Sequence, residues 1–174
     1  MIRHIFLTGK KQVGKSTLIQ KVIKRYTGNI GGFFTVRTNE YLKDSCSVHI
    51  FRMGEEKTPD EDNLLFVCGK PGANVSDRFD RMGCEILSEC SGCSLIVMDE
   101  LGPHEADAAL FHEAVLKSLD ENIPIFGILQ APAEDNWPDI VNHPDVKVIE
   151  ITEHNRNDAK LIDNILSVLT NTHS

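Results

Sequence analysis

The segment GKKQVGKS at residues 9–16, directly after the apolar run Ile2 to Leu7, constrains this chain more than any other feature. It fits G-x-x-x-x-G-K-[ST] at every fixed position, and it lies where a strand must hand over to a helix. Gly9 and Gly14 allow backbone conformations closed to other residues and let the main chain approach a ligand closely. The N–H groups of the loop, with the N-terminus of the next helix, converge on an anion. Gly9, Lys10, Gln12, Val13, Gly14, Lys15, Ser16 and Thr17 are therefore the expected cradle for a polyphosphate. Lys15 is expected to face the β- and γ-phosphates, and the Ser16 hydroxyl to ligate Mg²⁺.

A second segment supplies the acid such a site needs. Ser94 to Met98 is a short, continuous apolar run, the pattern of a strand buried on both faces of a parallel sheet. It ends in Asp99 and Glu100, at the carboxyl edge where open α/β sheets bind ligands. Asp99 is expected to hold Mg²⁺, directly or through water. Glu100 is expected to activate a water for attack on the terminal phosphate, the alternative being an acid that only tunes the metal's surroundings.

Composition frames the site. The chain has 174 residues, 41% hydrophobic and 25% charged, which suits a single soluble domain spanning 1–174. Its net charge of −8 gives no support to nucleic-acid binding. Lys10, Lys11, Lys15, Lys21, Lys24 and Arg25 cluster locally around the loop and its helix, which fits a small polyanion. No apolar stretch reaches the ~20 residues of a membrane span, and the N-terminus reads as a strand rather than a cleavable signal. A cytoplasmic location follows as the expectation, with a monomer as the default state. Five cysteines without a disulfide-framework spacing agree with a reducing compartment. Cys90 and Cys93 form a lone C-x-x-C without a second ligand pair, read as packed thiols at a helix-to-strand turn.

Along the chain, strand 2–8 is followed by a helix from about Lys15 to Tyr26, stopping near Gly28. Apolar runs at 30–36, 46–51 and 64–68 arrive without intervening helices, so they predict an antiparallel hairpin or meander on a mostly parallel sheet. Residues 69–75 read as a loop, with Ser76 as N-cap of a helix through Cys90. A helix over 106–121, strands at 124–129 and 146–151, and a last helix carrying Ala159 to Leu169 complete the α/β alternation. The expected architecture is a three-layer α/β sandwich of P-loop, RecA-like type.

Four segments in order give the chain a family likeness: GKKQVGKST at 9–17, GGFFTVR at 31–37, MDELGPHE at 98–105, and TEHNR at 152–156. Together they resemble the THEP1 and cancer-related nucleoside-triphosphatase family. The resemblance implies slow, Mg²⁺-dependent hydrolysis of nucleoside triphosphates with broad base tolerance. The segment between about 39 and 75 is only loosely similar, with Cys-Gly-Lys-Pro-Gly-Ala where the family carries a glycine–tyrosine motif.

Other residues enter with open alternatives. Arg37 is either a cation over the phosphates or an exposed strand-end arginine. Asn155 and Arg156 follow the strand at 146–151 and are candidates for the base pocket. There Arg156 could stack on the base and Asn155 could instead cap the final helix. Glu105 could support the acidic site; His104 receives no role. Trp137, in a polar loop, is read as surface packing, the alternative being a partner or lid contact.

Two rivals to hydrolysis stand. A nucleotide or small-molecule kinase would use the same scaffold, but residues 101–155 contain no arginine for a phosphate-covering lid, only Lys117 and Lys147. A nucleotide-dependent accessory or switch protein is the other; the base-reading N/T-K-x-D of a guanine-specific switch does not occur.

Overall fold

The computed structural model describes residues 1–70, 72 and 74–171. Its strands are β1 (His4–Thr8), β2 (Ile30–Leu42), β3 (Ser45–Arg52), β4 (Leu64–Val67), β5 (Leu95–Leu101), β6 (Ile125–Leu129) and β7 (Val146–Glu150). Its helices are α1 (Lys15–Ile23), α2 (Val75–Ser88), α3 (Pro103–Ala106), α4 (Ala109–Asp120), α5 (Ala133–Asn136), α6 (Pro138–Val141) and α7 (Ala159–Thr170), with a 3-10 turn at Glu89–Gly92.

All the strands join one seven-stranded sheet in the order β4-β3-β2-β5-β6-β1-β7. From β2 to β7 every pairing is parallel, and β3 and β4 extend β2 as an antiparallel meander. The central strands are apolar on both sides because helices cover both faces. On one face Leu18, Ile19 and Val22 of α1, with Ile162, Ile165 and Leu169 of α7, pack on Ile5, Leu7, Val97 and Ile128. On the other, Phe79, Met82 and Ile86 of α2 and Phe111, Val115 and Leu119 of α4 pack on Phe6, Phe33, Ile96 and Met98. The expected three-layer sandwich with its antiparallel meander is the observed one.

Strand order positions the chemistry. β6 lies between β1, which leads into the phosphate loop, and β5, which ends in the acids. The carboxyl ends of β1, β6, β5 and β2 thus open side by side along one edge, where main-chain groups past the last rung are free for ligands.

Several expected boundaries shift. The helix read over 106–121 is two helices, because Ala108 is extended and buried; the amide of Phe111 is instead met by Asp80 Oδ1 of α2 at 2.8 Å. Helix α2 begins one residue before Ser76, after Asn74, and no side chain caps it. α1 ends at Ile23, and Tyr26 beyond it turns in to donate its hydroxyl to Ser94 O at 2.8 Å. Of the loop read at 69–75, Pro71 and Ala73 lie outside the described residues.

The larger corrections concern side chains. Trp137 is not on the surface: it is fully buried (0% exposed) between α5 and α6, and its Nε1 donates to Gly102 O at 3.0 Å. In a chain whose five cysteines read as lacking a disulfide framework, Cys46 and Cys68 form a disulfide with 5.3 Å between Cα atoms. The β3–β4 register brings the two together, Cys68 N donating to Cys46 O at 2.8 Å. Local spacing carries no trace of that pairing, since it is decided by which strand neighbours which. Cys84, Cys90 and Cys93 are free, and burial pushes the Cys90 thiol up to about 11.

Candidate nucleotide site at the carboxyl edge of the sheet

The loop of residues 9–16 leaves β1 through backbone that few side chains tolerate. Gly9 and Gly14 have φ of 132° and 112°, and Gln12 sits at 60°. A side chain at Gly9 would run into the carbonyl of Ile151. Gly14 is the N-cap of α1 and no side chain closes that end, so the first-turn amides face outward, as an anion site requires. Lys15 is buried and curls back, its Nζ donating to Gly9 O at 2.9 Å and Lys10 O at 2.8 Å. Burial lowers its pKa, opposed by the charges of Glu100 and Asp99.

The sheet then brings Asp99 to Ser16. The Ser16 hydroxyl donates to Asp99 Oδ1 at 3.2 Å, 83 residues apart in sequence. Asp99 is buried, and burial pushes its carboxyl up to about 6 against the Ser16 hydrogen bond. A hydroxyl and a carboxylate side by side form a hard oxygen pair. Mg²⁺ keeps most of its waters and takes one or two protein oxygens plus phosphate, so this donor set fits it. Glu100, joined to Asp99 by a cis peptide bond, faces the same space, with Lys15 and Lys11 close enough to oppose the upward pull of burial on its pKa.

A cavity of about 730 Å³ joins these groups. It runs from Lys11, Lys15 and Ser16 past Asp99 and Glu100 to Arg37, Phe66 and His104. Arg37, on β2, is exposed on its wall and its Nε donates to Cys46 Sγ at 3.2 Å. His104 also lines it, its ring 5.1 Å from that of Phe66. Glu105 lies deeper, 8% exposed, with Oε2 accepting from Gly102 N at 3.0 Å; burial raises its carboxyl to about 7.

The loop after β7 lies against the other end of the cradle. Arg156 packs its methylenes over Gly14, and its Nη1 donates to Val13 O at 3.3 Å. Asn155 is turned inward, its Oδ1 accepting from Thr152 N at 2.8 Å and its Nδ2 donating to Glu150 O at 2.9 Å. The cap of α7 is Asp158, which accepts from Lys160 N.

Two residues escaped the sequence reading. Gln130 ends β6 between the two functional strands and lines the cavity; a polar residue closing the apolar run of 125–129 was its signal. Lys57, in the loop after β3, sets its Nζ 4.4 Å from the centroid of the Phe34 ring. No motif marks it.

Comparison with known proteins agrees with this geometry. A family model described as NTPase matches residues 4–166. The chain is 33% identical over 168 residues to the nucleoside-triphosphatase THEP1 of Thermotoga maritima, covering 95% of this chain and 94% of that protein. It is 30% identical over 180 residues to the human cancer-related nucleoside-triphosphatase, covering 90% and 92%. In fold it is similar to the crystal structure of THEP1 from the hyperthermophile Aquifex aeolicus, with a TM-score of 0.73, 23% identity, and coverage of 96% and 99%. A phosphate loop and an acid-tipped strand set one strand apart, on a chain that the family model matches nearly end to end, carry one conclusion: this chain belongs to the NTPase family.

Proposed function

We propose that the chain hydrolyses nucleoside triphosphates, with Mg²⁺ as cofactor and with broad tolerance of the base. The observation that carries the reading is the Ser16–Asp99 contact at 3.2 Å, with Glu100 beside it in the same cavity. The loop amides and Lys15 bind the β- and γ-phosphates, which requires Lys15 to exchange its loop carbonyls for phosphate oxygens. Ser16 and Asp99 hold the metal, which neutralises charge on the phosphates when bound. Glu100 orients a water and takes its proton as the oxygen attacks the γ-phosphorus. The bond to the leaving diphosphate breaks, and Lys15 with the loop amides offsets the charge that appears there. Arg156 over the cradle offers its guanidinium plane to the base, and stacking accepts any base because each has a π-face.

The test is phosphate release from each nucleoside triphosphate, with and without Mg²⁺ and with candidate acceptors. Release that needs Mg²⁺ and no acceptor supports hydrolysis. Nucleotide loss only with an acceptor favours a second reading, phosphoryl transfer, which the extension of the cavity to Arg37, Phe66 and His104 accommodates. Binding without turnover under every condition favours a nucleotide-dependent accessory protein.

A further inference from the structure

A cation of the loop after β3, Lys57, stands beside the acid-tipped strand, its Nζ 4.4 Å from the centroid of the Phe34 ring. Phe34 of β2 and Asp99 of β5 are direct partners in the parallel register, so their side chains leave the same face. That face is the one covered by α1, since Val97, two residues before Asp99, packs in the α1–α7 core and Ser16 of α1 reaches Asp99. The loop 53–63 comes to this face. Met53 N donates to Gly32 O at 2.9 Å and the Met53 side chain packs on the α1–α7 core. Further along, Asn63 Nδ2 donates to Thr58 O at 3.0 Å. Lys57 is thus held between two anchored points, with its Nζ over the Phe34 ring, next to the Asp99 rung.

No described carboxylate forms an ion pair with Lys57. Its partner is an aromatic face, which steers an ammonium without neutralising it. Lys15 belongs to the loop that follows β1, and Lys57 lies over the β2 residue that pairs with Asp99. Arg37, three residues beyond Phe34, alternates to the opposite face and meets Cys46 Sγ.

We propose that Lys57 is a γ-phosphate-binding, charge-stabilising residue of this site, supplied by the loop 53–63 and aimed by Phe34. In hydrolysis the γ-phosphoryl group moves away from the loop toward the water held by Glu100, and charge spreads over its equatorial oxygens. An ammonium on the β2 side meets that charge. Lys57 forms no covalent bond and transfers no proton. The proposal rests on the hydrolytic reading for its kinetic arm, and on triphosphate binding alone for the other.

Two variants test it. Lys57→Met keeps an apolar stem over Phe34 and removes the charge; Lys57→Arg keeps the charge. Three quantities are measured: kcat and KM for Mg²⁺·ATP, and the ratio of affinities for a non-hydrolysable ATP analogue and for ADP. Lys57→Met is expected to lower kcat by roughly 10- to 100-fold, below the loss seen for a full arginine finger because a lysine offers a single charge point. It is also expected to lower the analogue-to-ADP ratio about 10-fold or more, the scale of one charge-assisted hydrogen bond. Lys57→Arg should restore both to within a few-fold. The proposal is overturned if Lys57→Met matches wild type in both measures. It is equally overturned if analogue and ADP lose affinity alike, or if Lys57→Arg is as impaired as Lys57→Met. Should the wild-type protein release no phosphate from any triphosphate, the hydrolytic reading fails by itself, and the affinity ratio still decides Lys57.

Discussion

Under the proposed hydrolysis, Glu100 is the residue at which binding and catalysis separate most sharply. Gln at that position keeps the shape and loses the proton acceptor, so Glu100→Gln should cut kcat by ~10²–10⁴-fold. Triphosphate affinity should hold, which is the mark of an interaction made only in the transition state. Steady-state kinetics beside equilibrium binding check this, and turnover within a few-fold of wild type would move the base to another acid, Glu105 first. His4 makes a different residue-scale prediction. It is 0% exposed, its Nδ1 accepts from Ile125 N at 3.1 Å, and its Nε2 lies 3.1 Å from Leu119 O. Burial holds its pKa down to about 4, outweighing the Leu119 carbonyl, which favours the proton. An unfolded chain protonates this histidine near its ordinary 6.5, before the folded one does. Stability from His4 is therefore complete above pH 6.5 and is lost as pH falls toward 4, by up to about 3 kcal/mol. Denaturant titrations across that window should show a steeper pH slope for wild type than for His4→Asn; equal slopes would refute the assignment.

At the scale of elements, helix α2 meets α4 with almost no clearance. A Cβ on Gly83 would strike the Phe111 ring, which is itself buried against Phe33 and Phe79 at centroid distances of 5.7 and 5.9 Å. Gly83→Ala gains roughly 0.8–1 kcal/mol of helix propensity. Overpacking this core costs about 1–3 kcal/mol, so the expected net effect is destabilising, read as a lower denaturation midpoint. Stabilisation would show that the helices slide apart freely. Elements of this kind were largely legible beforehand. The runs at 94–98 and 124–129 are dominated by apolar residues, the strand at 2–8 leads straight into the loop, and the meander betrayed itself by the missing helices between its strands. The break at Ala108 was hidden because its cause is Asp80 on another helix. In the candidate site, the loop and the acid pair that the fold brings together stand out in sequence because each is a local pattern. Lys57 and the burial of Trp137 were not: one is a loop lysine aimed by a distant phenylalanine, the other an indole among Asp, Asn and Pro whose partner is the Gly102 carbonyl.

Across the whole molecule, ligand binding and stability are coupled because the site is assembled from four strand ends and the loop after β7. The cradle, the acids, β2 and the Arg156 loop are brought together only in the folded sheet, so a bound nucleotide favours the native state. At 100 times its Kd, a ligand adds ~2.7 kcal/mol, which for a chain of this size is about 5–11 °C in Tm. A non-hydrolysable triphosphate with Mg²⁺ should give that shift, and Lys15→Ala should abolish it. A shift that persists in Lys15→Ala would place the nucleotide elsewhere. The disulfide between Cys46 and Cys68 stands at the far wall of the same cavity, which Cys68 lines.

The chain contains a single tryptophan, and its indole N–H is tied to the carbonyl of Gly102, two residues beyond Glu100, while the His112 ring stacks on it at 4.8 Å. The protein thus carries a built-in optical probe of the candidate site. Its emission belongs to a dry, shielded indole, and any displacement of the Gly102 turn during a catalytic cycle changes the polarity and the hydrogen bond that set the colour of that light. Turnover can be followed by intrinsic fluorescence without a label, and a signal that stays constant through binding and hydrolysis would show that the turn holds still while the chemistry proceeds.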